Sequence, residues 1–210
     1  MTVVPNQIGK YRDVIFIGIA ALFSLLLGLL VASWLDSGRA DSATVSGYPG
    51  IGGDFSLTSN RGEVSLRDMR GKVVVLYFGY SSCPDICPTS LGVIAAALRQ
   101  LDAQEQKQIQ PVFVSVDPKR DTPSVLAEYA EAFYPGMLGL TGSQQQIDTL
   151  TAQYKVHYEL VPLKGSAAGY GVNHSSVTFV IGRDGVLRNI LGHGAPLESL
   201  VNKLKSALQT

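Results

Sequence analysis

Residues Val73–Tyr80 read VVVLYFGY, an unbroken run of apolar, β-branched and aromatic side chains around one glycine. A strand with one wet face alternates apolar and polar residues. A strand apolar at every position must be covered on both faces. Helices supply that cover for a parallel or mixed sheet, so one such strand already directs the chain to a layered α/β architecture. Residues Pro111–Asp117, PVFVSVD, form a second run of the same kind.

The neighbouring segments fit that frame. Asp54–Thr58 and Glu63–Leu66 read as short strands about the turn Ser59-Asn60-Arg61-Gly62. A helix is expected from about Pro88 to Gln104. Thr122 is placed to cap another, with Pro123 at its first position. Ser143 and Gln146 make a capping-box pattern that opens a helix to about Tyr154. Val177–Ile181 and Val186–Leu191 flank Gly182-Arg183-Asp184-Gly185, a hairpin signal. Leu197, Leu200, Val201, Leu204 and Leu208 form the one-sided stripe of a last helix. Strand, helix, strand, helix, hairpin and helix in this order predict a thioredoxin-like α/β fold with a central mixed sheet.

The only two cysteines, Cys83 and Cys87, stand four residues apart just beyond the first buried strand. Ligand sites of open α/β sheets lie beyond the carboxyl ends of strands. A disulfide framework would use more cysteines, spread more widely. Pro88 disfavours helical backbone at Cys87 and is a good first residue of a helix, so Cys83–Cys87 is expected as a loop ending near a helix N-cap. The dipole and free N–H groups there favour thiolate, the form that binds metals and attacks disulfides. Three residues separate the cysteines, against two in a thioredoxin-type redox motif, and the wider bite suits a metal.

Two thiolates need a third ligand. Of the three histidines, His157 falls at the periphery and His193 in a turn before the last helix. His174 leads into the strand at 177–181, which this fold sets beside the strand preceding the cysteines. Two soft thiolates and one imidazole suit Cu(I). Zinc with a water in the fourth position is the competing metal. Asp117 ends a strand near the site edge; it reads first as structural and second as an outer-shell or weak fourth contact, more so to Cu(II). Asp121 reads as an organiser of the turn before Thr122. A thiol–disulfide oxidoreductase is disfavoured by the wide spacing and by the lack of proline in Asn173–Val177. A thiol peroxidase is disfavoured by the paired Cys87 and by the lack of a close arginine.

Val14–Leu35 contains no charged residue and closes on Trp34. About 20 apolar residues cross a bilayer, and this run exceeds a signal-peptide core, so an uncleaved transmembrane anchor is expected at 14–35. No cysteine follows it, which excludes a lipoprotein junction. Lys10 and Arg12 precede the run and Arg39 follows it, placing 1–13 in the cytoplasm and the large domain outside. The small, polar, Gly-rich residues 36–53 read as a flexible tether and 54–210 as the domain. Lys+Arg and Asp+Glu both number 17 with no basic run, so nucleic acid is not expected as a partner. The lack of an Arg-rich transit segment makes the setting a bacterial inner membrane, with the domain in the periplasm.

Tyr77-Phe78-Gly79-Tyr80 with Cys83-Pro84-Asp85-Ile86-Cys87-Pro88 closely resembles the SCO/SenC family. So do Val116-Asp117-Pro118-Lys119-Arg120-Asp121-Thr122-Pro123, and Asn173-His174-Ser175 followed by Phe179-Val180-Ile181-Gly182-Arg183-Asp184-Gly185. The resemblance runs over nearly the whole chain after the tether. It implies a copper chaperone without turnover, serving the binuclear copper A centre during cytochrome c oxidase assembly. It implies Cys83, Cys87 and His174 as ligands of Cu(I) or Cu(II), and the oxidase copper A subunit as partner. A further periplasmic copper carrier is expected as donor. It also implies a second activity in which Cys83 and Cys87 form a redox disulfide pair that reduces the cysteines of that centre.

Overall fold

The computed structural model describes residues 47–163 and 169–210, with residues 24 and 26–28 in addition. The expected anchor over 14–35 and its charged flanks lie otherwise outside the described residues. Among those residues no helix is long and apolar enough to cross a membrane. Contacts divide the chain into the units Met1–Ser42 and Ala43–Thr210, and the second is the domain described below.

The central sheet has the strand order β5-β4-β3-β8-β9, where β3 is Val73–Gly79, β4 Ile109–Ser115, β5 Leu138–Leu140, β8 Val177–Ile181 and β9 Leu187–Gly192. Strands β3, β4 and β5 run parallel, while β8 is antiparallel to both β3 and β9, giving the expected mixed sheet. All seven residues of β3 are buried, as an apolar run demands. Strand β4 starts two residues earlier than expected and takes in Pro111. That residue has no N–H to give, and pairing with β5 begins only beyond it, at Val112.

Helices α1 (Ile86–Arg99), α3 (Pro123–Phe133), α4 (Gln144–Tyr154) and α5 (Leu197–Leu208) surround the sheet, with the short α2 (Ala103–Lys107) between α1 and β4. The caps read from sequence hold: the Thr122 side chain accepts from the Val125 N–H, and Ser143 with Gln146 closes a capping box. Leu200, Val201 and Leu204 of α5 are buried, with Leu197 and Leu208 packed at the core's edge. The single helix expected over 88–104 is two. Asp102 interrupts it by accepting from the N–H groups of Gln104 and Glu105, and Glu105 closes a second capping box.

Two hairpins lie outside the five-stranded sheet: β1 (Ser56–Ser59) with β2 (Gly62–Ser65), bridged to the sheet edge between Thr58 and Thr141, and β6 (Tyr158–Pro162) with β7 (Tyr170–His174). The first follows the expected turn. The second carries too little apolar alternation to be read as a hairpin from sequence. The tether expected over 36–53 ends sooner, because Tyr48 and Ile51 pack against the core and the Gly52 N–H donates to the Gln153 carbonyl at 2.9 Å.

Candidate metal centre

Strand β3 delivers the chain to the sheet's carboxyl edge, and residues 80–85 turn it into α1. Asp121, read from sequence as an organiser of the turn before Thr122, has its side chain on this other turn instead. Its carboxylate accepts from the Ser81 N–H at 2.9 Å and from the hydroxyls of Ser81 and Ser115. The end of β4 and the cysteine loop are thereby tied to one buried group.

Cys87 departs from its expected place in a loop. Helix α1 starts at Ile86 with Asp85 at the N-cap, so Cys87 is the second helical residue. Pro88 is then the third, where an N–H has no intrahelical acceptor, and the ring sacrifices no hydrogen bond. The packing of α1 on the sheet outweighs the local preference against helix before proline. Cys87 is fully buried and Cys83 partly exposed. The Cys87 sulfur occupies the space a side chain would take on Gly79, since a Cβ there would lie 2.7 Å from Sγ and 2.9 Å from Phe113 Cε2. A glycine in the middle of an apolar strand is thus the seat of a sulfur.

The sulfurs of Cys83 and Cys87 and one imidazole nitrogen of His174 lie within 4.8 Å of one another. Cys87 Sγ is 3.2 Å from His174 Nε2. His174 Nδ1 is 3.2 Å from the Ser175 carbonyl, which only accepts, so the proton belongs on Nδ1 and Nε2 presents its lone pair to the sulfurs. Tyr77 and Tyr80 flank the imidazole edge-on, with ring centroids 6.3 and 6.0 Å away.

Burial lowers the His174 pKa, keeping the ring neutral and able to bind a metal at physiological pH. The two thiols diverge. Burial pushes Cys87 far up, with the neighbouring Cys83 adding to the rise. Burial also opposes the Cys83 thiolate, but hydrogen bonds from the N–H groups of Asp85 and Cys87 outweigh it and hold the pKa below the ordinary thiol value. The helix N-terminus therefore activates Cys83, outside the helix, and not the cysteine within it.

Of the other histidines, His157 is exposed ahead of β6, its backbone hydrogen-bonded to Ser175, and His193 is exposed with Nδ1 3.2 Å from Ser90 Oγ. Neither belongs to the convergent group. Asp117 is buried, but its two carboxylate oxygens face the Arg120 Nε and the Tyr170 hydroxyl. An arginine does approach the site, against expectation: the Arg120 guanidinium lies 5.6 Å from the Tyr80 ring centroid and 3.9 Å from that of Tyr170. Sequence spacing carried no signal for Tyr80, Arg120 and Tyr170 beyond their presence in or beside the quoted motifs.

The SCO1/SenC family model matches residues 44–209. An SCO2-like protein of Rickettsia felis is 40% identical over 177 residues, covering 80% of this chain and 86% of its own. The crystal structure of Arabidopsis thaliana ScoI with copper bound superposes with a TM-score of 0.69 at 34% identity, covering 76% of this chain and 98% of that one. BsSco shares the fold at a TM-score of 0.60 and 24% identity, covering 79% of this chain and 98% of its own, and is described as a member of the Sco family of cytochrome c oxidase assembly proteins.

Proposed function

This chain belongs to the SCO1/SenC family, and from that membership we propose that it is a copper-binding chaperone that delivers copper to the binuclear copper A centre of cytochrome c oxidase. The observation that carries this reading is the convergence of two sulfurs and one neutral imidazole within 4.8 Å. The donor set fits copper: two soft thiolates and one imidazole make a three-coordinate pocket for Cu(I), and among the described residues no fourth protein ligand of the kind a structural zinc site requires joins them. Copper is the cargo here. The residues' work is to surrender the Cys87 proton, present both sulfurs, and hold Nε2 toward them through the Nδ1–Ser175 contact. Delivery is to the oxidase copper A subunit, with a second periplasmic carrier as donor. The segment 14–35 anchors the domain on the periplasmic face of the inner membrane; protease accessibility in spheroplasts checks that placement. For the ligands, Cu(I) and Cu(II) titration of the full chain is the test. His174→Ala is expected to weaken Cu(I) binding by about 10- to 100-fold, and Cys83→Ser to abolish tight binding. Full Cu(I) affinity in His174→Ala would overturn the ligand set.

The divergent thiols favour a second role, as a dithiol reductant for the copper A cysteines. Cys83 thiolate attacks the target disulfide, then Cys87 displaces the mixed disulfide, so that two electrons pass to the target and Cys83–Cys87 is left oxidised. The lead-in to β8 contains neither proline nor a cis peptide, unlike thioredoxin-type reductases. Rapid reduction of an oxidised copper A domain by the copper-free chain is the expected result, and failure at physiological pH would remove this role.

A further inference from the structure

His174 is held on an arm. It is the last residue of β7, which among the described residues pairs with β6 alone. The arm joins the sheet through Ser175 and Ser176, which lead into β8 at Val177. The arm's other covalent link, Val156-His157 into β6, lies at the same end, where the Ser175 N–H donates to the His157 carbonyl at 2.8 Å. Midway along β7, Val172 packs into the core. A hairpin tied covalently at one end only can still tilt about it and carry the imidazole with it, and an anchor at the far end adds to the packing of Val172 in fixing its direction.

Tyr170 stands at the other end of β7, about 13 Å from His174 at the rise of an extended strand. Three contacts gather there. Arg120 Nη1 donates to the Tyr170 carbonyl at 2.9 Å. The Arg120 guanidinium stacks over the Tyr170 ring at 3.9 Å. The Tyr170 hydroxyl donates to Asp117 Oδ1 at 2.8 Å, and the other oxygen of Asp117 receives Arg120 Nε. Arg120 is only partly exposed and Asp117 is 2% exposed, so the ion pair is sheltered from solvent. The same guanidinium overhangs Tyr80, whose ring meets His174 edge-on.

We propose that Arg120 is a positioning residue for copper binding, clasping the β6–β7 arm through Tyr170 and Asp117 so that His174 is held against the two sulfurs. It acts through the arm. Asp117, which the sequence offered as an outer metal contact, is here the fixed base of the clasp. The inference rests on the reading of Cys83, Cys87 and His174 as the copper ligands.

A double-mutant cycle on the full chain tests it, with Cu(I) affinity as the readout. Arg120→Ala is expected to weaken Cu(I) binding by about tenfold in the native background and hardly at all in His174→Ala. Equal weakening in both backgrounds would show that Arg120 acts through the fold or the thiols, and would overturn the clasp; so would no weakening in the native background. Arg120→Lys separates charge from geometry, because lysine keeps the charge but cannot serve the Asp117 carboxylate and the Tyr170 carbonyl from one planar group. It is expected to bind like Arg120→Ala, and native affinity would overturn the proposal. If Arg120→Ala does not fold, Tyr170→Phe removes the Asp117 contact alone and is expected to show the same dependence on His174, smaller in size. The Cu(II) form supplies a spectroscopic check: Arg120→Ala is expected to lose the nitrogen hyperfine coupling that His174→Ala loses, and its retention would count against the clasp. Failure of the ligand reading is distinguishable, since His174→Ala alone would then leave affinity unchanged.

Discussion

Cys83 and Cys87 are chemically identical side chains in one loop-helix junction, yet burial and backbone hydrogen bonds drive their acidities in opposite directions. The consequence is ordered reactivity. Limited iodoacetamide at neutral pH should modify Cys83 alone, read as a single adduct mapped by mass spectrometry, with Cys87 following only on unfolding. Preferential labelling of Cys87 would contradict the assignment. Gly79 is the second residue whose neighbours decide its identity. Alanine there would meet the Cys87 sulfur and the Phe113 ring at distances no real Cβ tolerates. Gly79→Ala should cost about 1–3 kcal/mol of copper-free stability by displacing packed groups, and weaken copper binding in parallel. Urea denaturation and Cu(I) titration of the same variant check both halves.

At the scale of elements, the cysteine loop is held by a neighbour forty residues on. Asp121→Ala would strip the Ser81 N–H and the buried Ser115 hydroxyl of their acceptor. That should destabilise the domain by about 2–4 kcal/mol in denaturant titration, and copper should restore part of the loss. The sheet was largely legible beforehand, because β3 and β4 are apolar enough to announce burial on both faces, because the turn at Gly182–Gly185 marks β8 and β9 as a hairpin, and because Thr122 and Ser143 carry cap signals that act within three residues. Two features were not. The break at Asp102 lay inside an amphipathic pattern that ran on through it, and a short-range capping box won locally. The β6–β7 arm has exposed positions on both faces, so no period marks it, and its pairing is set by where the chain must go after α4. The ligand cluster was legible because cysteines and histidines are rare in this chain. The clasp was not, because its stacking and charge-assisted contacts form between segments fifty residues apart.

At the scale of the whole molecule, stability is linked to protons and to metal. Burial raises the Tyr77 pKa from 10.0 to about 12 and lifts Cys87 above its ordinary value of 9.0. Each group is raised in the folded state, so its contribution is complete below the unfolded pKa and is lost as pH climbs toward the folded one. Copper-free protein should therefore hold its unfolding free energy level up to about pH 9 with respect to these groups, and lose it steadily above. Denaturant midpoints from pH 7 to 11 measure this. Copper should raise the melting temperature by the part of its affinity that only the folded state offers, and His174→Ala should show a smaller rise.

The separation of 87 residues between Cys87 and His174 has a consequence for when the metal can be held. The two sulfurs are near neighbours along the chain, so even an unfolded polypeptide can chelate copper with both. Recruiting the imidazole from the unfolded chain would mean closing that long loop, at an entropic cost of about 4 kcal/mol. The native fold has already met that cost. Two-coordinate copper is thus within reach of any form of this polypeptide, while three-coordinate copper certifies a finished one, and the metal's own coordination number becomes a record of whether its carrier has folded.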